Sequence, residues 1–537
     1  MATPAAADTP AAPADPPPPL RGGALVLGTL ALSMAVFMNV LDSSIANVSV
    51  PVISGNLGVS PQQGTWVITS FAVSNAISVP LTGWLTKRFG QVRMFLWATF
   101  LFMLASFLCG ISPNIQMLIA ARVLQGAVAG PMIPLSQALL LASNPPEKRG
   151  SALAIWSMTI LVAPVMGPML GGWITDTLSW PWIFYINLPV GIFALWGTWT
   201  VYHKRETPTA RLPIDGLGLV LLVTWVGAMQ LMLDKGKELD WFRSWEIIAL
   251  AVVAVLAFLY FLIWELTEDH PVVDLHLFRS VNFTGGVIAI SVAFAFYFGA
   301  LVLIPLWLQT QLGYTASEAG LVMAPVGLLA IVLSPITGKL VGKVDARFLS
   351  SVALLIFAWA FYMRSHFTPD VDQWSVIVPT LIQGAGVAFF FLPLNAIIMS
   401  DQPPHKIPDA AGVSNFVRIM FGGIGTSLTT TWWDTRTALH HARLAEATGA
   451  HNPAFTQGLQ SYAAQGVPEP AALALIERRI TVEASTQAVT DLFWLMALLF
   501  VVLALLIWLT HKPHGLRTGG AGRPAASVES EGAGGAH

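Results

Sequence analysis

Charged side chains are the scarcest feature of this chain: Asp, Glu, Lys and Arg make up 10% of its 537 residues, against about 25% in soluble domains. An ordinary water-soluble fold is thereby excluded. The formal net charge is −2, so no basic excess is available to neutralise a nucleic-acid backbone. A single cysteine, Cys109, set in an apolar run, rules out a disulfide within the chain and a cysteine metal cluster, which leaves packing as its role. The patterns G-x-x-x-x-G-K-[ST], H-E-x-x-H, C-x-x-C and G-x-S-x-G are absent. With them go a phosphate-cradling loop, a zinc-peptidase helix, a dithiol and a nucleophile elbow. No enzyme, metal or cofactor is implied.

What is abundant is apolar sequence, at 55%. A hydrocarbon crossing takes about 20 mostly apolar residues. Fourteen such stretches occur, near 24–48, 64–85, 94–112, 116–140, 150–174, 181–202, 215–234, 244–266, 282–311, 318–341, 348–367, 375–400, 410–433 and 490–510. The fold class is therefore an all-α polytopic membrane protein with 14 transmembrane helices. One set of connecting loops holds thirteen Lys and Arg, including "TKRFGQVR", "PPEKRG" and "HKRETPTARLP"; the other holds about four, Arg364 counted among them. Basic loops stay in the cytoplasm, so both termini are expected there. The tails, 1–23 (rich in Ala and Pro) and 511–537, cannot bury a core and are expected to be disordered.

Spans two and ten end alike, Pro80-Leu81-Thr82-Gly83 against Pro335-Ile336-Thr337-Gly338. In spans four and twelve Gln125-Gly126-Ala127 answers Gln383-Gly384-Ala385, Pro134-Leu135 answers Pro393-Leu394, and Pro145-Pro146 answers Pro403-Pro404, with offsets of 255 to 259. Such parallel repeats describe carriers that rock one six-helix bundle against another around a midplane site. The organisation is then an N-terminal bundle at 24–202, an inserted helix pair with its loops at 203–281, and a C-terminal bundle at 282–510 that includes an external helical segment, 434–489.

Asp42, in "NVLDSSIANV", breaks the apolar pattern of span one. A charged group at helix centre costs roughly 2.5 to 3.5 kcal/mol on insertion scales, so a retained one marks a functional site. Asp42 lies about six residues from the outer end of its span, roughly 9 Å deep, and Arg122 lies about six from the outer end of span four. Equal depth predicts a pair. A neighbouring guanidinium favours an ionised carboxyl group and desolvation favours a neutral one. A change in hydration or ligand occupancy would load and release a proton, unless the pair is a permanent clamp on two helices. Thr380 stands at the place of Arg122 in the second half, so the pair has no direct counterpart there. Arg418, in span thirteen, is expected to be a structural clamp near the cytoplasmic end. Pro164, Gly167, Pro168, Gly171 and Gly172 should bend span five and admit close neighbours. Gln125, Gln383 and Asn395 are expected to line a midplane cavity walled by Trp66, Phe389 and Phe390, suited to lipophilic molecules.

The stretch "GWLTKRFGQVR", 83–93, resembles the loop signature of the major facilitator superfamily, with Gly83, Arg88, Gly90 and Arg93 in its positions. "RVLQG", with Arg122 and Gln125, is similar to its fourth-span motif, and "APVMGPMLGG", 163–172, resembles the fifth-span signature associated with antiporters. With "LDSSIANVSVP" and fourteen spans, the chain resembles the fourteen-span drug:proton antiporters. "GPMIPLSQALLL", "GKELDWF" and "SNFVRIMFGGIGTS" are similar to the inner-membrane subunits of Emr-type tripartite multidrug exporters. The resemblance implies a major facilitator fold and proton-coupled export of hydrophobic drugs across a bacterial inner membrane. It also implies a periplasmic membrane-fusion adaptor and an outer-membrane channel as partners. The alternative classes, a membrane scaffold, a sensor or a membrane enzyme, have no further domain or catalytic set to draw on. Lys87 departs from the superfamily loop, which has an acidic residue there, so the usual acidic latch at the cytoplasmic gate is not expected. Residues 434–489 are expected to form two short amphipathic helices joined at "GAHNP" and "GVPEP", the second opening with Pro470 in its first turn, and to meet the adaptor.

Overall fold

The computed structural model describes residues 18–59, 61–145, 148–209, 213, 215–236, 238–269, 271–341, 343–403, 406–447 and 452–512; most of both expected tails lies outside them. Among these residues all regular structure is helical. Eleven helices are long and apolar enough to cross a membrane, and a twelfth crossing is the bent pair Trp66–Ser78 and Thr82–Phe89. The helices Arg149–Thr177 and Ile407–Ala447, of 29 and 41 residues, occupy the places of spans five and thirteen. In lipid only a helix or a closed barrel satisfies its own backbone, which is why the apolar stretches all take this form. Their ends are closed by local chemistry. Asn114, Asp215 and Ser280 each accept a bond from a first-turn amide, and Thr315 with Glu318 forms a capping box.

Proline sets the breaks. Span two bends by 62° between Ser78 and Thr82, where Pro80 has no amide hydrogen to continue the helix ladder. Span four is interrupted at Gly130-Pro131, between Ile115–Ala129 and Met132–Ser143.

The repeat is a repeat of packing. A Cβ on Gly126 of span four would stand 2.4 Å from the Phe71 carbonyl of span two, and one on Gly384 of span twelve 2.3 Å from the Val326 carbonyl of span ten. Phe71 and Val326 are 255 residues apart, and Gly126 and Gly384 are 258 apart. Likewise Gly167 of span five closes on Ser44 and Ile45 of span one, while Gly425 of span thirteen closes on Ala295 of span nine. Small residues at these four points let backbones meet, the usual basis of helix association in lipid.

Spans seven and eight, Gly216–Lys235 and Trp245–Thr267, bury Trp225 and Phe261 in the core of the C-terminal bundle. Span seven also reaches the N-terminal bundle, where Thr69 donates to the Asp234 carboxylate at 2.7 Å. Span eight is peripheral, with 22% of its apolar window buried in protein.

A chain of contacts gathers the first and last described residues, near Pro18 and Thr510, with alternate loops at one end of the bundle. Leu20 donates to the Ser143 carbonyl, Arg205 to the Pro18 carbonyl and Trp84 to the Pro213 carbonyl. Lys406 pairs with Asp274, and Arg347 donates to the Thr510 carbonyl. Residues 18–20, expected in the tail, are thus seated against span four. At the other end the segment 434–489 differs from two free-standing helices. Span thirteen runs on without a break to Ala447, and the last helix starts at Glu469, with Pro470 in its first turn, and runs through to Leu506. Only Pro453–Ala464 is a separate short helix, and the "GAH" of the first expected turn lies outside the described residues. The two extensions are fastened by Trp433 to the Ser485 carbonyl at 3.1 Å, His440 to Asp491 at 2.9 Å and His441 to Glu477 at 2.8 Å. Helical continuity is cheaper than a new nucleus once a span has formed.

Candidate functional site

Asp42 and Arg122 meet. The Arg122 guanidinium donates to one Asp42 carboxylate oxygen at 2.5 Å, and both residues are 0% exposed. The other Asp42 oxygen accepts from Gln125 at 3.0 Å and from Asn187 at 2.6 Å. Ser106 receives both amides, at 2.8 and 3.2 Å, and Arg122 also donates to the Val67 carbonyl at 2.9 Å. Phe71 covers the guanidinium, its ring centre 4.2 Å away. Spans one, two, three, four and six thus converge on one carboxylate. Such full satisfaction is what a buried ion pair requires, since an unpaired charge there is strongly destabilising. Asn187 and Ser106 were invisible to sequence reasoning, because neutral polar residues in apolar helices are common and only their convergence distinguishes these two. Gln125 belongs to this cluster, which corrects its expected place on a cavity wall. The helix of span one continues to Asn56, past the expected end of the span at residue 48.

The second half answers with different atoms. Thr380, at the place of Arg122, accepts a bond from Arg364 at 3.0 Å. Arg364 is therefore no loop charge: it ends the helix Ala346–Arg364 and is 0% exposed, with its Nε and one terminal nitrogen unpartnered. Tyr297 stands 255 residues after Asp42, and no carboxylate pairs with Arg364 among the described residues. Arg418 lies eleven residues into the helix Ile407–Ala447, roughly 17 Å from its start. Its partner is Asn415, at 2.5 Å, and its guanidinium lies 5.1 Å from the Phe294 ring centre and 5.4 Å from that of Phe391.

The remaining cavity candidates divide. Asn395 accepts from Gln137 of the opposite bundle at 3.5 Å, and Asn415 donates to Gln137 at the same distance, so these three straddle the seam between halves. Gln383 is buried and Phe389 half-buried. Phe390 packs edge-on against Phe357 and Phe391 inside the C-terminal core, a helix-packing duty that corrects its expected role as a cavity wall. Trp66 is half-buried with the Lys235 ammonium 5.6 Å from its ring centre, which ties it to span seven.

At the end that holds the termini, Lys87 pairs with Asp409 of the C-terminal bundle at 2.7 Å. An ion pair therefore stands at this position with its charges exchanged relative to the superfamily loop, for attraction does not depend on which partner is acidic. Gly83 lies directly beneath it, where a Cβ would stand 2.0 Å from the Asp409 carboxylate. Gly90 has φ +89° and Glu206 fills the space beside it, accepting from the Val92 and Arg93 amides at 3.0 and 2.8 Å. The Arg93 side chain approaches the same carboxylate at 3.9 Å, and Arg88 is exposed. In span five, Gly171 also abuts Ile45, Gly172 faces open space, and the side chains of Pro164 and Pro168 lie outside the described residues.

The family model for the Major Facilitator Superfamily matches residues 32–426. The chain belongs to this superfamily. It is 51% identical over 499 residues to the Multidrug export protein EmrB of Haemophilus influenzae, covering 93% of this chain and 98% of that protein. It is 50% identical over 505 residues to the Multidrug export protein EmrB of Escherichia coli strain K12, and equally to the Fatty acid resistance protein FarB of Neisseria gonorrhoeae, in each case covering 94% of this chain and 99% of the relative. The similarity first read from short motifs therefore extends along almost the whole chain.

Proposed function

We infer that this protein is a multidrug exporter that exchanges protons for hydrophobic compounds by alternating access and moves its substrates without altering them. The observation that supports this most directly is the Asp42 carboxylate, wholly buried and held against Arg122 by helices from across the N-terminal bundle. Ionised, Asp42 draws Arg122, Gln125 and Asn187 together. A proton on the carboxyl group cancels its attraction for the guanidinium, so the helices that converge on it loosen as a group. Proton binding is thereby linked to helix packing, and helix packing to which face is open.

The end that gathers the termini faces the cytoplasm of a bacterial inner membrane, in keeping with its basic loops. Lys87 with Asp409, and Gln137 with Asn395 and Asn415, hold the halves together on that side. The helical extensions beyond Trp433 and before Ser485 then project into the periplasm. There a groove of about 420 Å³, lined by Phe455, Leu473, Ile476 and Ile480 among others, offers a surface for a membrane-fusion adaptor that leads on to an outer-membrane channel. Replacing residues 448–468 with a flexible linker should leave drug-driven proton release intact and abolish adaptor capture; capture that survives would place the docking surface elsewhere.

One observation favours a static clamp instead: both Asp42 oxygens already hold donors. Titration separates the readings. Purified protein in a weak buffer should release protons when a lipophilic drug is added, and Asp42→Asn should release none. Equal release from both would assign the proton to another group.

A further inference from the structure

The two bundles do not balance their buried charges alike. In the first, the Arg122 guanidinium faces the Asp42 carboxylate. In the second, Arg364 is 0% exposed with no carboxylate partner among the described residues, and the titratable side chain that stands near it is Tyr297 of span nine, a phenol. One terminal nitrogen of Arg364 donates to the Thr380 hydroxyl at 3.0 Å, an oxygen whose own proton goes to the Val376 carbonyl at 2.8 Å. The Nε and the other terminal nitrogen have no acceptor among the described residues. Phe361 lies beside the guanidinium, its ring centre 5.4 Å away. Trp307, also 0% exposed, stacks on Phe367 in the turn that follows Arg364, and its indole N–H has no acceptor among these residues either. The last turn of span eleven therefore holds a positive charge and a surplus of donors. The carbonyl end of the helix Ala346–Arg364 offsets roughly half an elementary charge, and the remainder is costly in an interior unless something supplies the opposite sign.

We propose that Arg364, held in place by Thr380, is the binding site for a small inorganic anion of the size and charge of chloride, which does for the second bundle what the Asp42 carboxylate does for the first. Water could accept the spare N–H bonds but would leave the charge in place, and a cation would be repelled. An anion answers both needs, since it accepts hydrogen bonds from a guanidinium and cancels its charge. Complete burial restricts the ligand to an ion of one or a few atoms, so a long-chain or aromatic acid is excluded from this seat. The approach runs from the face opposite the termini, where Met363 and Pro379, the chain neighbours of Arg364 and Thr380, line a groove of about 500 Å³. Asp370 and Asp372 line the same groove, so it repels anions at its surface and the resting place is the guanidinium beneath. Held there, the ion neutralises the interior between spans nine, eleven and twelve, and the folded bundle is stabilised whenever it is bound. The site is separate from the Asp42 cluster, and its failure would leave the export reading untouched.

The test uses the full chain in nanodiscs of zwitterionic lipid, so that no anionic headgroup competes. Chloride is raised from about 1 mM to about 100 mM against gluconate at constant ionic strength, a range wide enough for a ligand of the folded state to register, and the melting temperature is followed by tryptophan fluorescence. In the wild type it should rise by about 2 °C or more and level off, and bromide should replace chloride. Arg364→Gln should abolish the dependence, while Arg418→Gln should keep it. Thr380→Asp supplies the missing carboxylate from within: it should melt above the wild type at low chloride and gain nothing from added chloride, which a change in packing alone would not produce. A wild-type melting temperature that ignores chloride, or a dependence that survives Arg364→Gln, overturns the proposal. Should Arg364→Gln or Thr380→Asp fail to fold, the wild type decides alone: crystals grown in bromide must show an anomalous peak within hydrogen-bond reach of the Arg364 Nε, and its absence there overturns the assignment.

Discussion

The two bundles share a backbone plan and divide the chemistry. Gly126 meets Phe71 as Gly384 meets Val326, so the close helix contacts were kept in both copies. The polar residues at the same depth were not. Where the first bundle sets Asp42 against Arg122, the second sets Tyr297 and Thr380, and borrows its guanidinium from Arg364 on a neighbouring span. Neutral residues at the two equivalent positions, and the cations Arg364 and Arg418 with no carboxylate partner among the described residues, make the halves electrically unlike, although they pack alike. Repeats tolerate such divergence because helix association in lipid rests on small residues and close backbones, which leaves the inward-facing polar positions free to specialise.

The largest effect that this contrast predicts is from Asp42→Asn. The amide preserves shape and most hydrogen bonds, so the protein should stay folded, while gradient-driven export falls to background in vesicles. Wild-type rates in a folded Asp42→Asn protein would remove the distinction between the halves. Next comes Arg122→Ala, which leaves the carboxylate buried without its cation and should cost about 3–5 kcal/mol of stability, read as a marked drop in melting temperature in detergent. Adding Asp42→Asn to it should recover much of that loss. If the two losses simply add, the residues act independently and the pair has no special place in the first bundle.

A smaller effect concerns the contact between the bundles. Lys87 is half-exposed, so its pair with Asp409 contributes at most about 1 kcal/mol, and Lys87→Asp should shift the balance of open and closed gates by up to about fivefold. Combining Lys87→Asp with Asp409→Lys should restore the original balance, as read by cysteine accessibility at the cytoplasmic seam. Smallest is Asp274, outside the spans. Burial, the largest single influence, would raise its carboxyl, but the Lys406 ammonium 2.7 Å away together with the His276 amide and ring outweighs this and holds it below its usual 3.8. A carboxyl depressed in the folded state stabilises above its unfolded value, and that stability is lost as pH falls through the folded value. Asp274→Asn should therefore cost under about 1 kcal/mol at neutral pH and nothing in strong acid. A constant difference across that range would assign the loss to packing.

Much of this was legible in the residues themselves. Hydrocarbon forces a crossing to be long, apolar and helical, so spans such as Val281–Thr310 announce themselves, and the end-to-end likeness of "VLQGAVAG" and "LIQGAGVA" exposes the repeat. An ionised group in oil must be paired, so equal depth was enough to join Asp42 with Arg122 across 80 residues of sequence. Neutral polar groups carry no such compulsion. Asn187 reaches Asp42 from 145 residues away and Lys87 reaches Asp409 from 322, and nothing in either local sequence names its partner.

By itself, then, the sequence determined the all-helical membrane class and the buried pair of Asp42 with Arg122, because each follows from the cost of polar groups in hydrocarbon. Tertiary structure alone decided which neutral side chains complete that pair, that Arg364 is an interior cation instead of a loop charge, and that Lys87 meets an acidic partner, Asp409, 322 residues away. It also decided that the external segment grows out of spans thirteen and fourteen. Those outcomes depend on which helix faces turn toward each other, a matter of rotation and packing against distant residues that no single stretch of chain encodes.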